Sequence, residues 1–158
     1  MLITEIKSLN NIDKYKLRLL GVLLTHGHFD HCTACKTLQE KDIPIYVSSI
    51  DGNEIKSTPE NMGLPIKYSF TPNILLNGDE ELNLIGLKIK VIKTSGHTEG
   101  SMCYLIDNSI FVGDTIFAGG SYGRCDFYSG DFNKIKNSIL NILFKLNDDL
   151  VVYSGHGD

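Results

Sequence analysis

His26-Gly27-His28-Phe29-Asp30-His31 places four metal-binding side chains within six residues, directly after the apolar run Leu19 to Leu24. A short, nearly continuous apolar run reads as a strand covered on both faces, so the cluster begins where a strand ends. Asp30 is a candidate cap for a helix reaching about Lys41, after which Pro44 opens a strand from Ile45 to Val47.

The same placement recurs further along. The chain has five histidines, and the two outside the cluster also follow strand patterns. His97 comes after Leu87 to Ile92, where apolar residues alternate with Lys88 and Lys90, and His156 comes directly after Leu150 to Tyr153. Asp114 stands in the same relation to Ile110–Val112. Loops at strand ends suit a site, because the sheet holds them while their side chains stay accessible. Glycine flanks most of these positions (Gly27, Gly96, Gly113, Gly155, Gly157) and lets the backbone turn close to an ion. Imidazole and carboxylate are good ligands for zinc and also serve iron or manganese. A catalytic ion takes three or four protein ligands, so five histidines and two aspartates are enough for two ions if one carboxylate bridges them.

The rest of the chain alternates between helical and strand patterns. Leu2, Ile6 and Leu9 fall at helical spacing. Asn77-Gly78-Asp79 is a turn signal, and Met102–Ile106 and Ile110–Val112 read as two strands joined by Asp107-Asn108. Phe132, Ile135, Ile139, Ile142, Leu143 and Leu146 form an apolar stripe with Asp131 at its start, which predicts a helix packed on the core. Strands and helices mixed in this order imply layers of helix against sheet. The 158 residues show no repeat or linker and read as one domain, 1–158.

Composition narrows the function. With 42% hydrophobic and 22% charged residues, the chain is that of a globular protein. A formal net charge of −4 with dispersed Lys and Arg argues against a nucleic-acid partner. The first ten residues contain no apolar stretch of a secretory signal, and no segment approaches the roughly 20 apolar residues of a membrane helix. The cytoplasm is therefore the expected compartment, and the spacing of the four cysteines, which implies no disulfide framework, agrees.

His26-x-His28-x-Asp30-His31 resembles the first signature of the metallo-β-lactamase superfamily. Ser95-Gly96-His97-Thr98-Glu99-Gly100-Ser101 resembles its second motif, Gly113-Asp114-Thr115 its third and Gly155-His156-Gly157 its last. The stretch Gly120 to Phe127 is similar to the segment after the third motif in the small glyoxalase II-like branch. The resemblance implies an αββα sandwich, of mixed α/β class, with a metal centre at one edge of the sheets. It assigns His26, His28 and His97 to one metal and Asp30, His31 and His156 to the other, with Asp114 bridging. Two zinc ions are expected, with iron or manganese as substitutes. The implied reaction is attack of a metal-activated hydroxide on the carbonyl of a small-molecule thioester or related ester, with Asp30 as catalytic base.

Relatives extend beyond this chain at both ends, so the fold is expected to be partial at both termini. An open sheet edge invites pairing, hence a homo-oligomer or a piece of a longer gene is expected. Aspartate at position 114 disfavours the large β-lactamase class that carries cysteine there, and His28 disfavours the flavodiiron relatives. Two rivals stand beside the hydrolase: a persulfide dioxygenase using a single iron on His26 or its equivalents, and a truncated metal-binding protein without turnover. Cys32-x-x-Cys35 reads as packing inside a helix, and Cys103 and Cys125 as small buried hydrophobes. Arg124 and Asp126 read either as a pair steadying the metal loops or as a surface ion pair. Ser101 is too near His97 in sequence to be a nucleophile served by it.

Overall fold

The computed structural model describes residue 12, residues 14–57 and residues 69–157. The helical spacing of Leu2, Ile6 and Leu9 lies outside the described residues. A three-stranded parallel sheet has the order β1 (Val22–Leu23), β2 (Ile45–Ser48) and β3 (Ile74–Leu76). The short helices α1 (Phe29–Cys32) and α2 (Cys35–Gln39) and the longer α3 (Ser49–Ser57) fall between its strands in sequence. A five-stranded sheet follows in chain order: β4 (Glu81–Leu84), β5 (Leu87–Lys93), β6 (Met102–Ile106), β7 (Ser109–Gly113) and β8 (Val151–Ser154). Its first three pairings are antiparallel and β7 with β8 is parallel. The crossover between β7 and β8 carries α4 (Phe132–Asn137), which continues as a π-turn, Ser138–Ile142, and a 3₁₀ turn, Leu143–Lys145.

Three apolar clusters mark the three interfaces of four layers. Ile89, Val91, Met102 and Tyr104 of the large sheet meet Leu23, Tyr46, Ile74 and Leu76 of the small one. The period-two alternation of strands sends Ile45 and Val47 to the opposite face, where they pack on Cys32, Cys35 and Ile55 of the helices. Cys103, Ile110 and Val112 likewise face Leu143 and Ile142 on the far side of the large sheet. Burying these side chains contributes roughly 1.5–3 kcal/mol for each large one. The architecture is the expected αββα sandwich.

Some local expectations need correction. The run Leu19 to Leu24 pairs only at Val22–Leu23, and as an edge strand it leaves Leu20 exposed. Asp30 does not cap a helix: it lies in the first turn, behind an uncapped His28, and the helix breaks at Thr33-Ala34 before Cys35. The carboxylate is turned toward His156 instead. Asp131 does cap α4, accepting the Lys134 N–H at 3.0 Å. The stripe beginning at Phe132 is only partly core: Ile135 and Leu143 are buried, Ile139, Ile142 and Leu146 are half-buried, and Phe132, in the first turn, is exposed. Cys103 is fully buried, whereas Cys125 is half-buried. No helix among the described residues is long and apolar enough to cross a membrane.

Candidate metal centre

The site forms where the two sheets meet end to end. The Thr25 carbonyl, just past β1, accepts the N–H of Met102 at the start of β6. Nearby, the Tyr104 hydroxyl, buried in the sandwich, donates to the Leu24 carbonyl at 2.7 Å. These bonds bring the His26 loop of the small sheet against the ligand loops of the large one. The candidate ligands thus come from the ends of strands in two sheets.

Each remaining loop has its own anchor. The Gly96 carbonyl accepts the Asp131 N–H, and the Ser138 hydroxyl donates to the Ser95 carbonyl, so α4 and the turn after it hold the His97 loop. Gly113 adopts φ +52°, and a Cβ there would come within 2.3 Å of the Thr25 hydroxyl; only glycine lets β7 end so close to β1. The Gly155 N–H donates to the Gly113 carbonyl, which ties His156 to Asp114.

All seven predicted residues converge. His26 Nε2 lies 3.2 Å from His97 Nε2, and His28 Nδ1 lies 2.8 Å from the same nitrogen. His31 Nε2 is 3.2 Å from His156 Nε2, which is 3.2 Å from Asp30 Oδ2. Asp114 lies between the groups: Oδ1 is 3.3 Å from His31 Nε2, and Oδ2 is 3.3 Å from His156 Nε2 and 3.6 Å from His97 Nε2. His26–His28–His97 and Asp30–His31–His156 each gather their ligand atoms within 4.8 Å, the spread a metal ion requires.

The donor set fits divalent cations. Asp114 Oδ1 is buried without a hydrogen-bond partner among the described residues, and such an atom is costly unless a cation or donor meets it. The His97 Nδ1–H donates to the Arg124 carbonyl at 2.6 Å, which fixes the tautomer and leaves Nε2 a lone pair for an ion. Burial, reinforced by the neighbouring histidines, pushes His26 well below the usual imidazole range. Burial and the charge of His97 bring His28 down to about 4. Both rings are therefore neutral at pH 7, the form that binds a metal. For His31, burial pulls downward, but the adjacent Asp114 carboxylate and the charge of Asp30 raise it overall. Burial alone would raise Asp114; the adjacent His31 ring and the charges of His156 and His97 bring it below the ordinary carboxylate range.

The other singled-out residues divide. Cys32 and Cys35 are buried, and burial raises both thiols, Cys35 to about 12, so they are packing residues rather than nucleophiles. Arg124 and Asp126 form an exposed bidentate pair; the backbone carbonyl of Arg124, not its guanidinium, supports His97. Ser101 is buried and bonded to Thr98. Sequence reasoning missed Asp51, a buried carboxylate in α3 that accepts from the loops of His26 and His97. No local motif marks it, and only the contact across the fold reveals it.

Comparison with known proteins places this geometry. Residues 5–156 match the Metallo-beta-lactamase superfamily. A Haemophilus influenzae protein named hydroxyacylglutathione hydrolase GloC is 35% identical over 94% of this chain and 74% of its own. Among solved structures, that of the BLEG-1 B3 metallo-beta-lactamase superposes with a TM-score of 0.89 at 28% identity, covering 98% of this chain and 77% of that one. TTHA1623 in a di-iron-bound form gives a TM-score of 0.79 at 29% identity over 96% of this chain and 77% of its own.

Proposed function

Because this chain belongs to the Metallo-beta-lactamase superfamily, we propose that it is a binuclear metal-dependent hydrolase acting on a thioester or related ester. The observation that carries the reading is Asp114, whose two buried oxygens face the two triads from between them. His26, His28 and His97 hold the first ion, Asp30, His31 and His156 the second, and Asp114 is shared. Zinc is the proposed metal; the di-iron form of TTHA1623 supports iron as the alternative. Divalent cations so held supply an activated water near neutral pH and Lewis-acid polarisation of a carbonyl.

The protein's own groups do the rest. Asp30 Oδ2 stands at the rim with its side chain 36% exposed, where it orients the attacking water and accepts its proton. Phe127 lies edge-on to His28 with ring centroids 5.9 Å apart, and Phe117 approaches His156 at 6.2 Å. These rings form apolar walls that limit water around the substrate carbonyl. The name of the Haemophilus influenzae relative supports a thioester substrate. The cytoplasm is the proposed compartment, consistent with the four free thiols, and pairing of two copies through β1, an edge strand among the described residues, is the proposed assembly.

The test is hydrolysis of S-lactoylglutathione and a simple acyl thioester by protein of measured metal content. Turnover abolished by chelator and reduced about 10²–10⁴-fold by Asp30→Ala supports the reading. Two bound ions without turnover would leave a metal-binding protein only. A second reading, oxidation of a persulfide at a single iron, is favoured by one feature: the first triad gathers its three ligand atoms without Asp30, His31 or His156, and two of its rings are buried. One iron per chain with oxygen uptake would select it.

A further inference from the structure

We propose that Asp51 is a positioning residue, fastening the loop of His26 and His28 to the loop of His97 so that the first triad is set before an ion arrives. This rests on the reading of the histidine cluster as a metal centre. Asp51 is 1% exposed, in the first turn of α3, with its own N–H bonded to the Ser48 hydroxyl at 3.0 Å. Its Oδ2 accepts the Gly27 N–H, between His26 and His28, at 2.8 Å. The same oxygen accepts the hydroxyl of Thr98, the neighbour of His97, at 2.8 Å. Oδ1 accepts the Gly100 N–H at 3.0 Å. One carboxylate therefore spans two ligand loops that lie some seventy residues apart in the chain.

The loops are shaped to receive it. A Cβ on Gly100 would come within 2.2 Å of Asp51 Oδ1, and one on Gly27 within 3.0 Å of the Asp51 Cβ. Bare backbone at both positions lets the amides reach the carboxylate. The Thr98 hydroxyl is also bonded to Ser101 at 2.8 Å, so the threonine side chain is held at both ends. A buried carboxylate bound only through such donors is costly to remove, since amides left unpaired inside the protein lose about 1–3 kcal/mol each. None of these bonds is made by Asp30, His31 or His156 themselves, so the fastening acts most directly on the first ion.

The experiment is a cobalt(II) titration of metal-free wild type, Asp51→Asn, Thr98→Val and Thr98→Ser, with urea unfolding in parallel. His97→Ala identifies the visible absorption of the first triad by its loss. Asp51→Asn is expected to weaken cobalt at the first triad by about 10–100-fold, the usual effect of losing a group that orients a ligand, and to leave the second unchanged. Thr98→Val has a smaller effect in the same direction, and Thr98→Ser restores wild-type binding. Unaltered cobalt affinity in a variant that has lost unfolding stability overturns the proposal, since Asp51 would then be architecture alone. If Asp51→Asn does not fold, Thr98→Val against Thr98→Ser makes the same distinction. Wild type that binds no cobalt refutes the metal-centre reading itself.

Discussion

The two halves of the candidate centre share imidazole ligands, to which the second adds the Asp30 carboxylate, and they differ in how the protein holds them. In the first triad His26 and His97 are 1% and 4% exposed, and Thr25, Asp51 and the Arg124 carbonyl support their loops. In the second, the side chains of Asp30 and His156 are 36% and 54% exposed. His156 depends on two local bonds, Gly155 N–H to Gly113 and the Ser154 hydroxyl to the His156 carbonyl. The difference shows that ligand identity does not set rigidity: a ligand is fixed by what packs behind it. A preorganised triad loses less freedom on binding and should hold its ion more tightly.

The comparison breaks most completely at the shared ligand. Asp114→Ala removes the carboxylate facing both triads, and is expected to weaken both ions by at least about 10²-fold, beyond the usual effect of an outer partner. Elemental analysis after dialysis reads this directly. Loss of one ion with full retention of the other would show that Asp114 does not bridge.

Acid sharpens the difference. Protons compete with metal for every ligand atom, and between pH 7 and 5 the competition falls on the imidazole nitrogens. Burial holds His28 down to about 4 and His26 low as well, whereas Asp114 and Asp30 outweigh burial and raise His31. Lowering the pH from 7 to 5 should therefore release the ion of the second triad first. In the metal-free protein the sign is worked through His28. Its depressed pKa means that the unfolded chain binds the proton more readily. Stability is consequently lost as pH falls from about 6.5 toward about 4, on the order of 1.4 kcal/mol per pH unit. Metal content against pH, with thermal unfolding of the metal-free protein, checks both; simultaneous release of the two ions would contradict the asymmetry.

The smallest effect is expected at Arg124→Ala. Its bidentate bond to Asp126 lies in water, with both side chains 65% exposed, and the carbonyl that supports His97 remains after the substitution. Metal affinity and melting temperature should match wild type. A clear loss of metal would mean that the guanidinium supports the centre.

Much of this centre was legible before folding. His26, His28, Asp30 and His31 lie within six residues, and His97, Asp114 and His156 each stand just past a strand pattern. The layered fold was legible in part for the same reason, since β6 divides its apolar side chains between two covered faces and β5 alternates buried Ile89 and Val91 with exposed lysines. The helix predicted from Asp30 to about Lys41 forms in two pieces, Phe29–Cys32 and Cys35–Gln39, and Asp30 does not cap it because its carboxylate turns to His156. The stripe from Phe132 held from Ile135 onward, while Phe132 itself, in the first turn of the helix, stays exposed.

By itself the sequence determined the chemistry: which side chains can bind a cation, and that strands deliver them to loops. Only the tertiary structure decided that His26 and His97 are buried while Asp30 and His156 stand exposed, and that Asp51 joins two of the loops. Metal chemistry demands particular residue types at short spacing, which a linear reading can see. Burial and bonds across the fold arise between residues far apart in the chain, and packing alone brings them together.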